Sequence, residues 1–189
     1  MAQALAGVAT RLEEALLSLD RAGVAALFSE LSGRGPLDRV LLADAVVAPA
    51  LLNIGNAWER GTVALSQVYM AGRLVEEALD HYLPPAPPRP GAPRIGVGVL
   101  EDHHALGKRI VCAVLVSAGY DVRDLGAGCS PEALVDGALE HGVDILMVSV
   151  LMLNRALRVA RVRELLDQRV ASGITLVPRH RKTADIIMT

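Results

Sequence analysis

Apolar residues recur at every third or fourth position over the first 83 residues, the spacing of amphipathic helices. The pattern predicts four helices, over Ala2–Leu19, Ala22–Leu31, Pro36 to about Leu51, and about Ser66 to Leu83. Pro49 falls inside the third and should kink or split it, because proline offers no N–H and its ring clashes with the preceding turn. Four helices with short connections favour a small antiparallel bundle.

The pattern changes after a stretch at 84–93 that reads PPAPPRPGAP. Proline fixes φ and removes backbone donors, so these residues should form an extended linker. Beyond them, short apolar runs predict buried strands, over Arg94–Leu100, Tyr120–Leu125, Val143–Ser149 and Ile174–Val177. The segments between them have helical spacing, over Ala105–Ser117, after the N-cap Ser130, and over Arg155–Val170.

Strands that alternate with helices are typical of a parallel sheet covered by helices. We therefore expect a helical domain at 1–83, a linker at 84–93 and a Rossmann-like (flavodoxin-like) α/β domain at 94–189. Ligands of such sheets bind beyond the carboxyl ends of the strands. Only 179–189 follow the fourth predicted strand, too few for an ordinary parallel crossover, so the sheet is expected to be shortened at its C-terminal end.

Composition narrows the function classes. Hydrophobic residues make up 52% of the 189 residues, charged residues 21%, and the formal net charge is −2. No basic surplus points to nucleic acid, and no apolar run is long enough for a membrane span. Cys112 and Cys129 form no CxxC motif, and nothing calls for an oxidising compartment. These features predict a cytoplasmic protein that binds neither nucleic acid by itself nor a membrane.

The candidate chemistry lies in the loop after the first predicted strand, which reads EDHHALGK from Glu101. Asp102 and His104 are two residues apart, so in an extended loop their side chains can share one side. A carboxylate bonded to one imidazole nitrogen fixes the tautomer and raises the basicity of the other nitrogen, as a metal ligand requires. Gly107 would let the backbone approach a large flat ligand, and Ser149 ends the third strand at the same edge.

The motif DxHxxG, followed about forty residues later by SxL, resembles the B12-binding domain of methionine synthase and of the corrinoid proteins of methyltransferase systems. The matching positions are Asp102, His104, Gly107, Ser149 and Leu151. The DLG sequence that ends at Gly126 is similar too. The resemblance implies a cobalamin cofactor with His104 as the lower axial ligand of cobalt. It also implies a cofactor nucleotide tail that descends into the domain beside Ser149.

The N-terminal half resembles the same family independently. The sequence GNAWERG, which contains Trp58, is similar to the signature of the helical cap that covers the upper face of the corrin. The resemblance makes Trp58, with Tyr69 nearby, a candidate to shield the upper face of cobalt. Taken alone, Trp58 could equally be a core residue of the bundle, and His104 a polar histidine at a helix start.

The function implied by the resemblance is that of a methyl carrier. Cobalamin would hold a methyl group on cobalt and pass it between methyltransferase partners, with Asp102 and His104 as the residues that tune the metal. On its own the chain should turn over little, and its oligomeric state, including a homodimer, stays open. The arginines at 155, 158, 161 and 163 are interpreted as a solvated helix face.

The sequence also departs from the family. No Gly-Gly pair follows the fourth predicted strand, where Pro178 and Arg179 stand instead, and Leu153, Asn154 and Arg155 replace hydroxyl residues beyond SxL. Cofactor-tail binding could therefore be weakened. Two further functions stay open: a B12-dependent sensor that responds to adenosylcobalamin or light, and a degenerate module with weakened cofactor binding. A flavodoxin-like domain for another nucleotide is disfavoured, because no phosphate-binding glycine loop follows the first strand.

Overall fold

We analysed a computed structural model of the chain. It describes residues 2–32, 42–150, 157–169 and 173–180. Two compact units divide the chain between Ala86 and Pro87. No described helix combines the length and the apolar character that crossing a lipid bilayer requires.

The N-terminal unit is helical, as the sequence predicts. Its helices are α1 (Ala2–Leu17), α2 (Arg21–Ser32), α3 (Ala48–Glu59) and α4 (Leu65–Tyr82). A π-helical segment, Leu42–Val47, leads into α3. Fully buried side chains pack between these helices, among them Leu12, Leu16, Phe28, Val46 and Leu79.

Pro49 lies within the third predicted helix. It stands in the first turn of α3, directly after the π-helical segment. The first backbone N–H groups of a helix have no partner within that helix, so a proline there loses no hydrogen bond. The sequence predicts a kink or a split at Pro49; the structure has a change from π-helix to α-helix one residue before it, with no break between the two segments. Residues 36–41, where that predicted helix begins, lie outside the described residues.

The second unit is a four-stranded parallel sheet with helices. The strands are β1 (Ile95–Leu100), β2 (Val122–Cys129), β3 (Ile145–Val150) and β4 (Thr175–His180). The helices are α5 (Leu106–Ser117), α6 (Pro131–Glu140) and α7 (Val159–Gln168). The strand order is β2-β1-β3-β4, and every neighbouring pair is parallel.

The sheet forms because its central strand is apolar throughout. All six residues of β1 are buried. The core on which α6 and α7 pack includes Leu100, Leu134, Leu146, Val148 and Leu166. Ser130 caps α6 as predicted, since its Oγ accepts a hydrogen bond from the Ala133 N–H at 3.1 Å. The fold class expected from the sequence is therefore confirmed.

Two strands extend further than the sequence predicts. β2 continues from Leu125 to Cys129, although Gly126 and Gly128 have φ values of +97° and +73°. The β1–β2 register shifts twice along this stretch, which accommodates the two glycines as irregularities of the strand. β4 continues to His180, so Pro178 and Arg179 belong to the strand and do not follow it. Residues 181–189, which follow β4, lie outside the described residues.

The second half of the proline-rich stretch packs on the second unit. The Arg89 N–H donates to the Gly119 carbonyl at 2.8 Å, and the Arg89 guanidinium lies 5.4 Å from the centre of the Tyr120 ring. Gly119 has a φ of +84°, and a Cβ there would come within 2.6 Å of the Pro87 carbonyl oxygen. Residues 87–89 are thus held against the turn between α5 and β2.

Candidate functional site

The candidate site lies at the topological switch point of the sheet, between the two neighbouring strands at which the order of the strands reverses. β1 lies between β2 and β3, so the chain leaves it on one side to form β2 and returns on the other to form β3. Loops that follow two such neighbouring strands diverge and leave a crevice at the carboxyl edge. Val99 pairs with Ser149 across β1 and β3, so Ser149 lies level with the end of β1. The sequence predicted this neighbourhood.

The loop between β1 and α5 holds one imidazole and one carboxylate in direct contact. Nδ1 of His104 lies 2.5 Å from Oδ1 of Asp102. The same oxygen accepts the backbone N–H of His104 at 3.0 Å. An ionised carboxylate only accepts hydrogen bonds, so Nδ1–H donates and Nε2 carries the lone pair that a metal could use.

The two partners differ in exposure. The side chain of Asp102 is 8% exposed and that of His104 is 69% exposed. Burial acts to raise the pKa of Asp102, but the hydrogen bonds from the ring and the backbone N–H of His104 outweigh it and leave that pKa below its ordinary value. At neutral pH the carboxylate is therefore ionised, and it orients a ring that stays open to an incoming ligand.

Backbone hydrogen bonds tie this loop to the end of β2. The Glu101 N–H donates to the Cys129 carbonyl at 3.0 Å, and the Gly128 N–H donates to the Asp102 carbonyl at 2.7 Å. The His103 ring lies over Gly128, where an added Cβ would come within 2.6 Å of it. Two features therefore require glycine at position 128, its positive φ and the close approach of the His103 ring.

A buried lysine follows directly in the first turn of α5. Lys108 is only 6% exposed, and its ammonium pairs with Asp124, the third residue of β2. Burial acts to raise the pKa of Asp124, but the hydrogen bonds from Lys108 and the Gly126 N–H outweigh it and lower that pKa. The sequence analysis assigned no role to Lys108, because a pair sixteen positions apart has no local signature.

Sequence reasoning also missed a second ion pair at the loop. Glu101 has a φ of +48°, and its carboxylate accepts from Arg158 at 2.9 Å. Arg158 is the N-cap residue of α7. The side chain of Arg158 is half-exposed, in keeping with a solvated helix face, and it has this ion pair in addition. Arg161 pairs with the half-exposed carboxylates of Glu132 and Glu164, which fits a solvated face.

The other predicted site residues fall in different places. Gly107 lies in the first turn of α5, where a Cβ would meet nothing within 4 Å. Gly126 lies in β2, and its N–H donates to Asp124 at 2.8 Å. Ser149 is half-buried in β3, and Leu151 lies outside the described residues. Trp58 belongs to the N-terminal unit, where it is 46% exposed at the end of α3.

These residues fit a corrinoid cofactor. A corrin supplies four nitrogen ligands of its own, so the protein needs to contribute one axial donor on an accessible face. His104 has the features that such a donor requires: one ring nitrogen is held by a buried carboxylate, and the ring as a whole is exposed. Open space also lies beside Gly107, which follows His104 by three residues and stands in the first turn of α5.

An open parallel sheet that presents one oriented imidazole at its switch point defines an α/β cofactor-binding protein. Two family profiles match the chain, both described as a B12 binding domain. One covers residues 95–177 and the other residues 8–83. The chain belongs to the B12-binding proteins of the corrinoid type, and the cofactor predicted from the sequence, cobalamin, is confirmed at the level of the family.

Curated relatives include corrinoid proteins from archaea and bacteria. The chain is 30% identical over 123 residues to dimethylamine corrinoid protein 1 of Methanosarcina acetivorans, a match that covers 63% of this chain and 58% of that relative. It is 29% identical over 165 residues to a corrinoid protein of Desulfitobacterium hafniense, covering 84% and 76%.

A solved structure has the same fold. The monomethylamine corrinoid protein of Methanosarcina barkeri matches with a TM-score of 0.73 at 20% identity, over 94% of this chain and 85% of that one. The predicted architecture, a helical part followed by a parallel sheet with helices, is thereby confirmed. The predicted roles of Asp102, His104, Gly107, Gly126, Ser149, Leu151 and Trp58 stay predictions.

Proposed function

We propose that this protein is a cobalamin-dependent methyl carrier in which His104 is the lower axial ligand. The contact between His104 and Asp102 carries the proposal, because it leaves Nε2 as the free nitrogen of an exposed ring at the switch point of the sheet. When bound, cobalamin supplies the cobalt atom that holds the methyl group. The protein holds the cofactor and sets the strength of its lower ligand.

Asp102 controls the proton on the imidazole. Its carboxylate holds the hydrogen of Nδ1 and so keeps the lone pair on Nε2. It also accepts the backbone N–H of His104, which fixes the ring with respect to the loop. A carboxylate that binds the far side of a metal-ligating histidine raises the basicity of that histidine, so Asp102 strengthens the bond that His104 offers.

Other residues at the same edge complete the proposed cofactor site. Ser149 is the residue before the last in β3, beside β1, where the nucleotide tail of the cofactor would enter, and Gly126 lies in the irregular end of β2. Gly107 leaves room at the start of α5. The relatives that are named as methylamine corrinoid proteins support methyltransferases as partners and methyl transfer as the purpose.

Absorption spectroscopy of the full chain with methylcobalamin tests the ligand. Because the spectrum of cobalamin depends on its lower ligand, His104→Ala should shift the spectrum away from that of the wild type. His103→Ala is the matched comparison, since it removes the neighbouring imidazole. Its spectrum should stay that of the wild type. Identical wild-type and His104→Ala spectra would contradict the proposal, and a shift in His103→Ala alone would move the role to His103.

A further inference from the structure

Glu101, the first residue after β1, adopts a backbone conformation that its side chain disfavours. Its φ of +48° lies in the left-handed region. For a residue with a Cβ this region is sterically disfavoured relative to right-handed conformations, and glycine avoids most of that cost. A glutamate at this position therefore needs contacts that hold it there.

Contacts from two different elements hold Glu101. Its backbone N–H donates to the Cys129 carbonyl at the end of β2, at 3.0 Å. Its carboxylate is 15% exposed and accepts from Nη1 of Arg158 at 2.9 Å. A largely buried carboxylate is screened less by water and salt than a surface one, so this pair is stronger than an ordinary surface ion pair.

Arg158 differs from the arginines that follow it on α7. Arg161 pairs with Glu164 on its own helix and with Glu132 on α6, and Arg163 pairs with Asp167 on its own helix. Arg158 instead reaches the loop that follows β1. It therefore connects the helix that follows β3 with the loop that contains His104.

We infer that Glu101 and Arg158 are positioning residues that set how well His104 can reach cobalt. The turn at Glu101 fixes where the chain emerges from β1, and Asp102 and His104 follow at the next and third positions. The side-chain pair holds that turn from α7 while the backbone bond holds it from β2. This inference rests on the proposed function, because it assigns these residues to the same histidine ligand.

Four variants separate this role from a general contribution to stability. Glu101→Gln and Arg158→Gln each remove one charge and keep the size of the side chain nearly unchanged. Glu101→Gly removes the pair and also the cost of the positive φ. Arg169→Gln is the matched control, because Arg169 lies just beyond the other end of α7 and pairs with Asp136 away from the loop.

Two measurements are made on the full chain. The first is the fraction of bound methylcobalamin that His104 ligates at one fixed pH, read from the absorption spectrum with His104→Ala as the unligated reference. The second is the thermal unfolding midpoint of the cofactor-free protein. A residue that acted only on stability would change the second measurement and leave the first unchanged at saturating cofactor.

We expect Glu101→Gln, Arg158→Gln and Glu101→Gly each to lower the ratio of ligated to unligated cofactor by about threefold to tenfold, less than the loss typical of a direct partner of the ligand. The double variant Glu101→Gln/Arg158→Gln should lose no more than either single variant. Arg169→Gln should keep the wild-type ratio. Without cofactor, Glu101→Gly should unfold at a higher temperature than Glu101→Gln, because glycine carries no cost at positive φ.

Wild-type ratios in all three loop variants would overturn the inference and leave the proposed function intact. An equal loss in Arg169→Gln would also overturn it, because the effect would then not be specific to the loop. If the wild type and His104→Ala gave identical spectra, the proposed function itself would fail, and this inference with it. The two failures are therefore distinguishable.

Discussion

The carboxylate of Asp102 is buried and the ring of His104 is exposed, although 2.5 Å separates their bonded atoms. This asymmetry gives each residue a separate task. Asp102 is protected from water and holds one nitrogen of the ring, and His104 offers its other nitrogen outward. The proposed ligand site therefore depends on both the contact and the difference in burial.

Asp102→Asn should weaken cobalamin binding by about 10–100-fold, the loss typical when the partner of a metal-ligating histidine is removed. The amide is neutral, so it no longer raises the basicity of His104. Equilibrium titration with methylcobalamin measures the effect. Asp136→Asn is the control, because it neutralises a carboxylate of an exposed pair with Arg169. Equal affinities for both variants and the wild type would refute the role of Asp102.

Gly107→Ala should separate cofactor binding from folding. Nothing lies within 4 Å of the added Cβ, and alanine in a helix is more stable than glycine by about 0.5–1 kcal/mol, so the unfolding free energy should stay constant or rise. If the open space receives the cofactor, the affinity for cobalamin should nevertheless fall. Unchanged affinity would show that Gly107 is not needed at the cofactor surface.

Gly128→Ala, in contrast to Gly107→Ala, should lower the unfolding free energy. Its φ of +73° and the His103 ring within 2.6 Å of the added Cβ both oppose a side chain. The expected loss of stability is about 1–2 kcal/mol for the backbone alone. Chemical denaturation of the cofactor-free protein measures it, with Gly107→Ala as the comparison. A stability equal to that of the wild type would mean that the loop is not clamped as the structure has it.

Features that depend on residues close together in the sequence could be predicted, and features that depend on residues far apart in the sequence could not. The helices and the strands follow from local periodicity, and the change of helix type next to Pro49 follows from proline chemistry. Asp102 and His104 are two residues apart, so their contact could be anticipated. The pair of Glu101 and Arg158 could not, because 57 positions separate them and only the order of the strands brings them together.

The end of β2 shows why strand ends were harder to predict. Two glycines follow Leu125 in the sequence, and glycines in such a position usually end a strand. Backbone bonds from Glu101 and Gly128 keep this stretch paired with the loop, and the register shifts absorb the glycines. Tertiary contacts thus override the local signal at the position where the candidate site is built.

Lys108 is buried and its partner Asp124 is half-exposed, so removal of either side chain should lower the unfolding free energy by a different amount. Asp124→Ala leaves a buried ammonium without its carboxylate and should cost about 1–3 kcal/mol of unfolding free energy. Lys108→Met should cost less, because the remaining carboxylate is 53% exposed and stays hydrated. Chemical denaturation at pH 7 compares the two variants. A larger loss in Lys108→Met would contradict this account.

The same pair predicts a dependence on pH. Burial acts to raise the pKa of Asp124, but the hydrogen bonds from Lys108 and the Gly126 N–H outweigh it and leave that pKa below its ordinary value, so the folded state favours the ionised form. Its contribution is present above the unfolded pKa of about 3.9 and is lost as the pH falls through the lower folded value. The stability difference between the wild type and Asp124→Ala should therefore shrink below about pH 4. A constant difference down to pH 3 would rule out this linkage.

Cys112 should react slowly with alkylating reagents. Burial, with the negative charge of Asp124 as a second cause, raises the pKa of its thiol to about 11. Only about one thiol in a thousand is then ionised at pH 8, and the thiolate is the reactive form. Iodoacetamide labelling of Cys129→Ser, in which Cys112 alone remains, should speed up between pH 8 and pH 10. Rapid labelling at pH 7 would contradict the environment described for Cys112.

Electron paramagnetic resonance of the cobalt(II) form tests the ligand assignment most directly. The full chain is prepared with ¹⁵N-labelled histidine and loaded with unlabelled cobalamin. A nitrogen of spin one half splits each cobalt line into two, and the unlabelled nitrogen of the cofactor's own base splits it into three. We expect doublets in the wild type and none in His104→Ala. Triplets in the labelled wild type would show that the cofactor keeps its own base, and the proposed role of His104 would be wrong.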